Sequence, residues 1–111
     1  MRTLFVLLLS VASWPALAAD GEALARGKAI AIDRNKGNCL SCHMMDDGEL
    51  PGNSAPPLLQ MRARFPDRAV LQAQIWDATV RNPETVMPPY GRHRVLTEEE
   101  IDLVVDYVHS L

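Results

Sequence analysis

Residues 39–43 constrain the fold of this chain more than any other stretch. Cys39 and Cys42 are separated by two residues, and His43 follows directly. Two sulfurs at this spacing on one helical turn can each form a thioether with one edge of a porphyrin, and the next imidazole can reach the iron. The 111-residue sequence has two cysteines, and a covalent haem would use both. The motif therefore predicts one c-type haem, with His43 as an axial ligand of the iron.

Three other uses of a closely spaced cysteine pair agree less well with the sequence. A redox dithiol of the thioredoxin type is expected in a βαβ context, which the sequence pattern does not indicate. A structural zinc site needs four ligands, and the chain has no second cysteine pair or paired histidines to complete one. A plain disulfide across the short loop would leave His43 without a role.

The first 18 residues have the organisation of a secretory signal peptide. Arg2 supplies the positive charge, residues 4–9 are apolar, and residues 16–18 form a small-x-small cleavage site. The apolar run is shorter than the roughly 20 residues that a membrane span needs. The sequence thus predicts a signal peptide over 1–18 and, over 19–111, one domain of about 93 residues that is exported from the cytoplasm.

The pattern after residue 18 predicts an all-α fold. Apolar residues at helical spacing predict helices over 21–35 and 68–81, and a third helix from the capping box at Thr97 to the C-terminus. Glycine inside a helix costs stability relative to alanine, so we expect a close packing contact at Gly27. The net charge of −3, without basic runs, argues against nucleic acid as a partner.

The second axial ligand is predicted to be Met87. It lies 44 residues after His43, and the two prolines that follow it stiffen the backbone. The two methionines directly after His43 are too close to it in sequence to reach the opposite face of the ring, and Met61 stands only 18 residues downstream. His93 is the main alternative, and it would give an iron with two histidine ligands.

The haem motif and the three helices resemble a class I cytochrome c domain. The resemblance implies that the first and last helices cross at close range, which gives Gly27 its role. It also implies that a proline carbonyl accepts the ring N–H of the axial histidine, and Pro56 matches that proline, with Ala55 in place of the usual glycine. Trp76 either donates its indole N–H to a haem propionate or fills the core.

A narrower resemblance covers nearly all of residues 19–111. It is to the SoxX family, the monohaem cytochrome c subunits of the bacterial sulfur-oxidation system. The matching segments are residues 37–43, 50–58, 64–68, 74–79, 82–93 and 96–101.

The SoxX resemblance implies a periplasmic electron-transfer subunit of the thiosulfate-oxidising SoxAX complex. The implied partner is a SoxA-like cytochrome, in a heterodimer with L-cysteine S-thiosulfotransferase activity. Thiosulfate is coupled to a cysteine of the SoxYZ carrier, and a soluble acceptor cytochrome c takes the electrons. The family places the catalytic cysteine on SoxA, so no catalytic residue is predicted in this chain. A stand-alone soluble electron carrier and a catalytic or gas-binding haem protein are the alternatives.

Overall fold

The structure is a computed structural model that describes residues 16–111, and the regular secondary structure in this range is helical, with no β-strand. Residues 16–111 contain four α-helices: α1 (Ala16–Ile32), α2 (Met61–Arg64), α3 (Arg68–Trp76) and α4 (Glu98–His109). Two short 3-10 turns lie at Cys39–Ser41 and Ala78–Val80. The predicted all-α fold is confirmed. The predicted signal peptide lies outside the described residues except for its last three, which are the first residues of α1.

Helices α1 and α4 pack directly against each other at Gly27. A Cβ atom at this position would overlap the carbonyl oxygen of Leu103 and lie 2.9 Å from the Cβ of Tyr107. The α4 residues on the inner side of the helix are buried, and they include Ile101, Val104, Val105 and Val108. The predicted close contact at Gly27 is therefore present, and it allows the apolar stripe of α4 to be covered by α1.

Helix α4 begins at the predicted capping box. The hydroxyl of Thr97 accepts a hydrogen bond from the backbone N–H of Glu100 at 3.1 Å, and the Glu100 carboxylate accepts one from the backbone N–H of Thr97 at 3.1 Å. Three acidic residues in the first turn also complement the positive end of the helix dipole. Local sequence therefore determines where this helix starts.

Helix α3 is shorter than predicted, and the prediction that it extends to residue 81 was wrong. It begins after Asp67, whose carboxylate accepts a hydrogen bond from the backbone N–H of Ala69, and it ends at Trp76. Asp77 is extended, and its carboxylate accepts the backbone N–H of Thr79, which starts the second 3-10 turn. The side chain of Asp77 thus competes with continuation of the helix. Helix α1 likewise ends at residue 32 instead of 35.

Candidate haem site

A cavity of about 600 Å³ lies between the inner faces of α3 and α4 and the loops that precede them. Its volume is in the range typical of cofactor and ligand sites. Five predicted site residues line it together: Cys39, Cys42, His43, Pro56 and Met87. Most of the remaining wall is apolar and is formed by Leu58, Met61, Phe65, Leu71, Ile75, Val104 and Val108.

The two cysteines lie on and just after the first 3-10 turn. The backbone N–H groups of Cys42 and His43 both donate to the carbonyl of Cys39, at 3.1 and 2.9 Å, so the turn holds the motif in a compact form. Burial raises the pKa of the Cys39 thiol to about 11. Hydrogen bonds from Ser54 and Ser41 lower the pKa of the Cys42 thiol. When both cysteines are free thiols, Cys42 therefore ionises more readily than Cys39.

The ring of His43 is oriented by a backbone carbonyl. Its Nδ1 lies 2.7 Å from the carbonyl oxygen of Pro56. A carbonyl oxygen can only accept, so Nδ1 carries the proton and Nε2 keeps its lone pair available for a metal. The Pro56 loop runs along the motif, since the Ala55 N–H donates to the Cys42 carbonyl at 3.1 Å. Ala55 is not among the residues with positive φ, so its Cβ causes no backbone strain.

Met87 reaches the same cavity from a loop that Tyr90 ties to the cysteine motif. The hydroxyl of Tyr90 donates to the carbonyl oxygen of Gly37 at 2.5 Å, and the side chain is buried. Burial raises the pKa of Tyr90, so the phenol keeps its proton and remains a donor at neutral pH. The backbone N–H of Met87 donates to the hydroxyl of Thr85 at 3.2 Å. His43 and Met87 are thus both positioned by hydrogen bonds within short loops.

Two residues that the sequence offered as candidates for the haem site, His93 and Trp76, do not line the cavity. His93 is exposed and does not line it. Trp76 does not line it either: its ring covers Gly91, where a Cβ atom would overlap the indole. The structure therefore gives Trp76 a packing role against the loop, and it gives no support to His93 as an alternative to Met87.

Met61 was not predicted as part of the site, and it lines the cavity. It is 2% exposed, and its Sδ accepts a hydrogen bond from Nη1 of Arg64 at 3.3 Å. Its distance of 18 residues from His43 in the sequence gave no indication that it lines the cavity. The N–H of Met61 donates to the carbonyl of Leu111 at 2.9 Å, so the end of the chain fixes the start of α2.

The residues around the cavity fit a haem. Oε1 of Gln74 is buried there and has no hydrogen-bond partner within residues 16–111. The carboxylates of a haem also accept hydrogen bonds, so the side-chain NH2 of Gln74 is the group that can donate to one. Three cationic side chains that could face the carboxylates of a haem also line the cavity: Arg34, Lys36 and Arg64. The described residues contain no cluster of three or more His, Cys, Asp or Glu side chains that could hold a free metal ion. The donors that line the cavity are therefore two thiols, one imidazole and the thioethers of Met61 and Met87.

A helical domain whose first and last helices cross beside a cavity that holds a Cys-x-x-Cys-His motif is a class I cytochrome c-like domain. Residues 22–108 match the family described as cytochrome c oxidase, cbb3-type, subunit III. The chain belongs to this family of cytochrome c domains, which bind haem c and transfer electrons. Within residues 16–111, no helix combines the length and the apolar character needed to cross a bilayer.

A curated relative matches a shorter part of the chain. It is an uncharacterized lipoprotein of Aquifex aeolicus (strain VF5), 33% identical over 76 residues. The alignment covers 68% of this chain and 37% of the relative, so the chain spans little more than a third of that protein's length.

Proposed function

We propose that this chain is a periplasmic electron-transfer cytochrome with one haem, attached to Cys39 and Cys42, and with His43 and Met87 as axial ligands of the iron. The observation that carries the proposal is that these four side chains line one cavity. Histidine–methionine ligation raises the reduction potential of a haem, and a six-coordinate iron offers no open position to a substrate. Such a centre accepts and passes on electrons.

Met87 is proposed as the ligand in preference to Met61. The sulfur of Met61 already accepts a hydrogen bond from Arg64, whereas no donor contacts the sulfur of Met87 among the described residues. The near-infrared charge-transfer band of oxidised, methionine-ligated haem reports this bond. We expect the band to be lost in Met87→Ala and kept in Met61→Leu. Met44→Leu is the control, because Met44 is 42% exposed and lies outside the cavity lining. A band that persists in Met87→Ala would contradict the assignment.

A narrower role is supported by the SoxX resemblance: the electron-transfer subunit of a SoxAX complex that oxidises thiosulfate. Joining thiosulfate to a carrier thiol forms a sulfur–sulfur bond and releases two electrons and one proton, so the coupling requires an electron acceptor. Both cysteines of this chain are assigned to haem attachment, which leaves no thiol to act as the nucleophile. This chain therefore suits the role of the subunit that accepts the electrons and passes them on, and the catalytic cysteine is assigned to the SoxA-like partner.

Export through a signal peptide over residues 1–18 is part of the same proposal. Its support is the charged start, the short apolar run and the small residues at 16–18. The description of the Aquifex relative as a lipoprotein agrees with a location outside the cytoplasm.

Reconstitution tests the Sox role. The chain would be combined with a SoxA-like cytochrome, a SoxYZ carrier, thiosulfate and an oxidised soluble cytochrome c. We expect the carrier to gain the mass of thiosulfate only when the SoxA-like partner is present, together with reduction of the acceptor. Met87→Ala should slow acceptor reduction, and Met44→Leu should not. Coupling by this chain alone would contradict the proposed division of labour.

The family match favours a second candidate, an electron-carrier cytochrome with no Sox partner, because that family is named for an oxidase subunit. Affinity capture separates the two: a stable complex with a SoxA-like cytochrome supports the Sox role. Electron exchange without such a complex supports the carrier. Fast, stoichiometric binding of carbon monoxide to the reduced protein would instead indicate a gas-binding or catalytic haem.

A further inference from the structure

One buried carboxylate contacts both ends of the loop that carries Met87. We define the Met87 loop as residues 78–91, the segment between Asp77 and Arg92. Asp77, just before it, is 7% exposed and is the buried charged residue of the described chain. Its Oδ1 accepts hydrogen bonds from the backbone N–H and the hydroxyl of Thr79, at 3.1 and 2.5 Å. Its Oδ2 lies 3.2 Å from the guanidinium of Arg92, the residue that follows the loop.

The backbone closes the Met87 loop at the same place. The carbonyl of Trp76 accepts hydrogen bonds from the N–H groups of Gly91 and Arg92, at 3.1 and 3.4 Å. The Trp76 ring also covers Gly91. The chain that leaves α3 and the chain that returns after the loop are therefore held side by side over two residues each, 76–77 and 91–92.

Apart from the Met87 side chain, which packs against the core, the middle of the Met87 loop is largely exposed. Val86, next to Met87, is 88% exposed, and Val80, at the start of the loop, is 80% exposed. Apolar burial near these residues therefore contributes little to holding the loop in place. The contacts at its two ends, together with the hydrogen bond from Tyr90 to Gly37, therefore do more to hold the loop in place, since closing a loop limits the conformations open to its middle.

We infer that Asp77 is a positioning residue that keeps Met87 on the haem iron by joining the two ends of the Met87 loop through Thr79 and Arg92. The inference rests on the proposed function, because it takes Met87 as an axial ligand. It assigns Asp77 no contact with the haem. Release of either end widens the range of loop conformations, so Met87 leaves the iron more often and an added ligand enters faster.

Carbon monoxide binding to the reduced holoprotein measures how often Met87 is off the iron. Arg92→Gln removes the ion pair and leaves the Thr79 contacts of Asp77 in place. Arg26→Gln is the matched control: Arg26 pairs with Glu99 at 3.2 Å and has a 57% exposed side chain, against 3.2 Å and 54% for Arg92. We expect the binding rate to rise about tenfold in Arg92→Gln and to stay at the wild-type value in Arg26→Gln.

Asp77→Asn is expected to raise the rate further and to weaken the near-infrared methionine band of the oxidised protein. If this variant does not fold, Arg92→Gln decides the question. Equal carbon monoxide rates in Arg92→Gln and Arg26→Gln, with the band lost in Met87→Ala, would overturn the positioning role and leave the proposed function intact. A wild-type protein without the methionine band would overturn both.

Discussion

Replacement of Gly27 by alanine tests the helix crossing on which the cavity depends. The new Cβ would overlap the Leu103 carbonyl and approach the Cβ of Tyr107. Since the first of these atoms is backbone, α1 and α4 must move apart. Overpacking of this kind costs about 3 kcal/mol, and the better helix propensity of alanine returns about 1 kcal/mol. We expect a net loss of about 2 kcal/mol in the free energy of unfolding, or about 8–16 °C in Tm for a domain of this size.

Gly21→Ala is the control, because it lies in the same helix and a Cβ there has no neighbouring atom within 4 Å among residues 16–111. It should change the free energy of unfolding by about +0.5 kcal/mol through helix propensity and chain entropy alone. Urea unfolding of both oxidised holoproteins, followed by helix circular dichroism, gives the comparison. If Gly27→Ala were as stable as Gly21→Ala, the crossing would not be limited by contact at Gly27, and the reasoning would be refuted.

Three further predictions concern the loops around the site. Tyr90→Phe should lower the free energy of unfolding by about 1–2 kcal/mol in urea titrations, because the buried carbonyl of Gly37 loses its hydrogen bond; an unchanged midpoint would argue against that bond. Leu50→Gly should raise the free energy of unfolding by about 0.5–1 kcal/mol, because Leu50 has a left-handed backbone (φ 53°) and a side chain that is 95% exposed. A lower urea midpoint would contradict this. Hydrogen bonds from Thr79 lower the pKa of Asp77, so its contribution to stability is present above the unfolded pKa of about 3.9 and is lost as the pH falls through the folded value. Urea midpoints from about pH 6 to about pH 3 should therefore fall less steeply in Asp77→Asn than in the wild type.

The parts of the fold that follow from local sequence were predictable. The capping box at Thr97 and the apolar stripe after it place α4, because both signals act within a few residues of each other. The need for glycine at Gly27 was also readable, since glycine is costly in a helix interior unless a neighbouring backbone requires the space. The end of α3 was misjudged because Asp77 caps a new turn before the Asn-Pro pair that the sequence offers as a stop.

Tertiary contacts account for what the sequence did not reveal. The start of α2 depends on a hydrogen bond from Met61 to the last residue of the chain, 50 positions away, so no local pattern announces it. The same contact brings Met61 into the cavity wall. Trp76 was considered as a hydrogen-bond donor to the haem because of its chemistry, and its packing on Gly91 depends on how the Met87 loop returns.

The intact mass of the exported protein after thiol alkylation tests the central claim most directly. A covalent haem at Cys39 and Cys42 predicts a single species that is heavier than the polypeptide by one haem and takes up no alkylating reagent. A species without haem, in which both cysteines are alkylated, would contradict the account.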